Sequence, residues 1–130
     1  MSITFSINHD DGYLIATYTG KISDEEMLAS WKGFFQGEKW VPGLNELIDL
    51  SQADLNGITA NGLEQLVNYA KTVYEEHDIH SVKIAVYAPE NIHYGIARMY
   101  EALTFNYPQS ADVFRSIQEA ESWLKEPTKD

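Results

Sequence analysis

The densest group of side chains able to do chemistry is Glu75-Glu76-His77-Asp78-Ile79-His80, two imidazoles and three carboxylates within six residues. Imidazole and carboxylate together hold divalent metals. His77, however, ends an apolar-periodic segment and His80 lies in the turn beyond it, so the two do not converge as they would in an H-E-x-x-H helix. Imidazoles there suit the negative end of a helix dipole. A structural role is expected and no metal site. A second group is His93, Tyr94 and Arg98, types that bind anions or move protons. Five residues at about 100° each set His93 and Arg98 about 140° apart. They do not share a face, and Arg98 with Glu101 at i, i+3 reads as a surface pair. His93, Tyr94 and Arg98 stand as candidate contacts for a partner or ligand. Asp49 is the one carboxylate read at a strand end, where ligands of open α/β sheets gather. Aspartate at such a place more commonly caps loop amides. The chain has no cysteine and no G-x-S-x-G, P-loop or G-x-G-x-x-G, so no hydrolase, kinase or dehydrogenase reading has a motif behind it. The expectation is a non-enzymatic domain without a cofactor.

These residues need elements to hold them. Ile3, Phe5 and Ile7 alternate with polar residues, Asp10-Asp11-Gly12 breaks the run, and Tyr13 to Thr19 is again extended, which predicts a hairpin. Ser23 and Glu26 form a capping box ahead of Met27, Leu28, Trp31, Phe34 and Phe35 at helical spacing, ending near Gly37. Glu46 to Leu50 predicts a short strand. A helix follows, capped by Thr59 or Asn61, with Leu63, Leu66, Val67, Ala70, Val73 and Tyr74 as its stripe. Val82 to Tyr87 predicts a buried strand. Ile92, Ile96, Met99 and Leu103 predict the inward face of a third helix, Asp112 to Arg115 a brief strand, and Ser116 with Glu119 the capping box of a last helix. The order β-β-α-β-α-β-α-β-α predicts an α/β fold: a single mixed, mostly parallel sheet with an antiparallel hairpin and about four helices.

At 130 residues and 44% hydrophobic, the chain has length and apolar area for one core. One domain is expected over 1–126, with a loose tail at 127–130. Twenty Asp and Glu against nine Lys and Arg leave a net charge of −11, which repels phosphate backbones and anionic lipid; no nucleic-acid partner is expected. No segment approaches the roughly 20 apolar residues of a membrane helix, and the N-terminus lacks a signal-peptide pattern. A cytoplasmic location and no membrane insertion are the expectation.

Asp49-Leu50-Ser51-Gln52-Ala53-Asp54-Leu55, followed by a loop and Gly62-Leu63, resembles the D-L-S-x-V-x-F-I-D-S-S-G-L signature of STAS domains such as the anti-sigma-factor antagonist SpoIIAA. Gly95 to Glu101, Val113-Phe114-Arg115 and Glu119 to Leu124 resemble the C-terminal half of the SpoIIAA-like proteins. The resemblance implies a regulatory or scaffold domain that acts by protein binding, with a protein partner or as a homodimer. In the antagonists a serine of D-S-S-G is phosphorylated and the added charge disrupts an interface. Aligning on Gly62 puts Thr59, Ala60 and Asn61 where Asp-Ser-Ser stands in the family, so the acceptor serine is missing. Thr59 and then Ser51 are the candidate phosphoacceptors, and Asp49 and Asn61 join the candidate contacts. The group also resembles the CRAL-TRIO lipid-transfer fold, which implies the alternative of a carrier for a small apolar ligand in a cavity near Asp49, Thr59 and Tyr94.

Overall fold

A computed structural model describes residues 2–104 and 108–127. Phe105 and Tyr107, two of the aromatics, and most of the expected tail lie outside the described residues. The elements are β1 (Ser2–Asn8), β2 (Tyr13–Lys21), α1 (Asp24–Gln36), β3 (Asn45–Asp54), α2 (Ala60–Glu76), β4 (Val82–Tyr87), α3 (Asn91–Leu103), β5 (Gln109–Phe114) and α4 (Ile117–Lys125).

The five strands form one sheet in sequential order, antiparallel between β1 and β2 and parallel thereafter. Each parallel step moves one strand the same way. Right-handed crossovers then place every connecting helix on one face. Accordingly α1 packs on α2 and α2 on α3, while α4 alone covers the other face against β3, β4 and β5. Strand order never reverses between β2 and β5, so the sheet has no topological switch point, the place where open α/β sheets form their ligand crevice.

Alternation along the strands divides the side chains between the layers. Leu14, Glu46, Ile84 and Ala111 form one row across the sheet. The hydrophobic members of this row belong to the core under α1–α3, and Tyr13, Leu47 and Ala85 belong to the smaller core under α4. The Ser23 capping box is complete, with Glu26 N–H donating to Ser23 Oγ and Ser23 N–H to the Glu26 carboxylate. Only half of the expected box forms at α4, where Ser116 Oγ accepts from Glu119 N–H but donates to Gln118. Helix α2 ends in a Schellman turn, Ile79 N–H donating to Tyr74 O with Asp78 at φ +56°.

Three boundaries and faces differ from expectation. Strand β3 continues to Asp54, so Asp49 and Ser51 lie inside a strand. The ladder shifts register between Thr17 and Thr19 of β2, which leaves three steps of β3 opposite two. Asp49 Oδ1 accepts from Ser51 N–H at 2.9 Å and Ser51 Oγ at 2.7 Å, supplying the partner that a bulge removes from the ladder. Strand β5 begins three residues early, its Gln109 paired with Val82. Helix α3 turns a different face inward: His93, Ala97 and Tyr100 are buried, while Ile92 is 68% and Met99 38% exposed. On a helical wheel the buried set is centred about 100° from the Ile92–Ile96–Met99–Leu103 stripe.

Candidate functional site

Rotated that way, the apolar stripe of α3 flanks α2. Ile96 lines a groove with Leu63 and Leu66 of α2, Leu55 and Ile58 of the loop after β3, and a floor of Tyr18, Ile48 and Val86. The groove holds about 30 Å³, against roughly 150 Å³ for a cavity that takes up benzene. It has room for the tip of an aliphatic side chain. Asp49, Thr59 and Tyr94 do not line it. A wider depression of about 440 Å³ lies between the ends of α1 and α2. Two of its polar groups are engaged with neighbours: Tyr69 with Gln36 and under Lys32, His77 with Val73 O and Trp40.

Behind the groove sits a carboxyl group that sequence reading passed over. Glu46 is 2% exposed, in the sheet row between Leu14 and Ile84. The Tyr74 hydroxyl donates to its Oε2. Tyr18, whose hydroxyl accepts from the Trp31 indole N–H at 2.9 Å, and Tyr100 complete the surroundings. Burial pushes the Glu46 carboxyl up to about 7, opposed by the Tyr74 hydrogen bond. Burial and the nearby carboxylate likewise raise Tyr74 and Tyr100 well above the ordinary phenol value. The signal was available: Glu46 shares parity with Ile48 and Leu50, the side of β3 that faces the larger core.

The seven residues singled out from sequence do not form one site. Asp49 and Ser51 bond each other on β3. Thr59 caps α2: its Oγ1 accepts from Gly62 N–H at 3.0 Å and donates to Asp24 Oδ2 at 2.6 Å, while its N–H donates to Asp24 Oδ1. A Cβ at Gly62 would lie 2.0 Å from Asp24 Oδ1, so the glycine of the family-like Gly62-Leu63 pair makes room for this tie. Asn61 is exposed in the first turn of α2 and does not cap it. His93 is buried, its Nε2 2.8 Å from Ala53 O, and its Nδ1 finds no partner among the described residues. Tyr94 lies on the opposite flank of α3 from the apolar stripe. Arg115 stacks on its ring at 4.2 Å, held by Asn91 and Pro89 O, and Arg98 approaches at 5.9 Å. Arg98 pairs with Glu101 at 3.0 Å, as the spacing implies. His80 pairs with Asp78 on the surface, and among the described residues no group of three or more His, Asp or Glu could hold a metal. No helix among them is long and apolar enough to cross a membrane.

No family profile matches the sequence and no curated protein is similar to it at a significant level. The fold does have a solved counterpart. An uncharacterized protein of the DUF3478 family from Shewanella loihica PV-4, with a SpoIIAA-like fold, superposes with a TM-score of 0.58 at 18% identity, covering 95% of this chain and 92% of that one. The architecture is therefore SpoIIAA-like.

Proposed function

We propose, from a SpoIIAA-like fold as premise, that the domain is a non-enzymatic regulatory or scaffold module that binds protein at the α2–α3 groove. One observation carries the reading. Of the three large hydrophobic side chains exposed among the described residues, Ile92 and Met99 are on α3, in line with Ile96 at the groove wall. An exposed apolar row leading into a small apolar slot suits an anchor side chain from a partner, the usual centre of a protein interface. A groove of this size favours that over a lipid-sized ligand, which needs roughly 300 Å³ or more. The absence of the acceptor serine and the engagement of Thr59 with Asp24 suggest regulation by other means than a phosphoserine.

Native mass spectrometry and cross-linking on wild type and an Ile92→Glu/Ile96→Glu variant test this. Wild type should form a stoichiometric complex, with a second copy or another protein, that the variant loses while keeping its circular dichroism spectrum. A wild-type chain that remains a solitary monomer in its source cell, or a complex indifferent to the substitutions, overturns the reading.

A further inference from the structure

The buried carboxyl of β3 lines a void separate from the groove. Glu46 is faced from β2 by Leu14 and Tyr18, from β4 by Ile84, from α1 by Trp31 and Phe35, from α2 by Ala70 and Tyr74, and from α3 by Tyr100. The titratable groups among these are Glu46 and three tyrosines, and no cation acts on Glu46 among the described residues. A buried carboxylate without a cation is costly, and such a group neutralises itself by taking up a proton. The void against it holds about 10 Å³, room for no more than a single water. That size excludes an organic ligand and leaves a proton, with a water, as the species exchanged here. We propose that Glu46, Tyr18, Tyr74 and Tyr100 form a proton-binding site whose occupancy sets how tightly α1, α2 and α3 close on the sheet.

With the proton bound, Glu46 and Tyr74 form a neutral pair in a dry core. With it released, the charge has the Tyr74 hydroxyl as its donor, and water entering the void loosens the helix layer at Tyr74 and Tyr100. Carbon-13 NMR titration of the glutamate carboxyls, with amide hydrogen exchange over the same pH range, tests both halves. One carboxyl should titrate near 7, and the protection factors of α2 and α3 amides, with intrinsic base-catalysed exchange divided out, should fall several-fold above that midpoint. Glu46→Gln should remove the titration and the pH-dependent part of the exchange. Tyr74→Phe, which keeps the ring and deletes the donor, should move the midpoint upward, and it serves if Glu46→Gln does not fold. If every glutamate titrates in the ordinary range, or exchange does not follow the midpoint, the proposal fails. Loss of partner binding in the groove variant leaves it untouched.

Discussion

Glu46 and Lys83 are charges buried at nearly the same level of one sheet, on opposite faces. Glu46, beside Ile84, points to the three-helix layer; Lys83, one residue earlier on β4, points to α4 and is 7% exposed. Their surroundings differ. Lys83 Nζ donates to Trp123 O and Glu126 O at the carboxyl end of α4 and sits 4.7 Å from the centre of the Trp123 ring. Two carbonyls, one of which also accepts from Glu126 N–H, the negative end of a helix dipole and an aromatic face together replace its hydration. Among the described residues Glu46 has one donor, Tyr74, and no counter-charge. A buried charge given enough partners ties a helix to its sheet; one given too few becomes a place where a proton binds.

The sharpest way to break this contrast is Lys83→Met, which keeps the apolar stem and deletes the ammonium. It should cost about 3 kcal/mol in urea denaturation, because Glu126 O loses the ammonium as donor and Trp123 O loses one of its two. Next comes Glu46→Gln. A folded-state value near 7 against an ordinary 4.5 means the folded chain binds the extra proton between those values. Stability from this group is full below about 4.5 and is lost as pH rises through 7, by roughly 3 kcal/mol in all. Glu46→Gln should therefore be more stable than wild type by about 2 kcal/mol at pH 8 and near wild type at pH 5, read from denaturation midpoints at both. Equal midpoints at pH 8 would remove the distinction drawn between the two charges.

Exposed charges should follow in smaller steps. Asp24 is held by two hydrogen bonds from Thr59 at the start of α2, so Thr59→Ala, deleting the cap and one of them, should lower stability by about 1 kcal/mol in thermal unfolding. Arg98 and Glu101 are half exposed and a quarter exposed; Arg98→Ala should change stability by no more than about 0.3 kcal/mol.

Much of the fold was legible in particular residues. The Asp-Asp-Gly break, the Ser23–Glu26 box and the Leu63-to-Tyr74 stripe act through neighbours in sequence, and each stands where its spacing put it. The candidate site was less legible. Ile92, Ile96, Met99 and Leu103 do form one stripe, but the sheet and α2 chose a face about 100° away, because His93 reaches Ala53 O and Tyr100 reaches the core. Asp49 looked like a strand end until a register shift lengthened β3 beyond it.

Sequence by itself determined the number, order and type of the elements, since capping, turn chemistry and periodicity are local, and with them a mixed sheet carrying an antiparallel hairpin. Tertiary structure alone decided which polar residues were shut away and what met them there. Glu46 and Lys83 read as ordinary strand residues in the chain. Their surroundings come from α1, α2 and α3 on one side and α4 on the other, and no local spacing encodes a partner contributed by another layer.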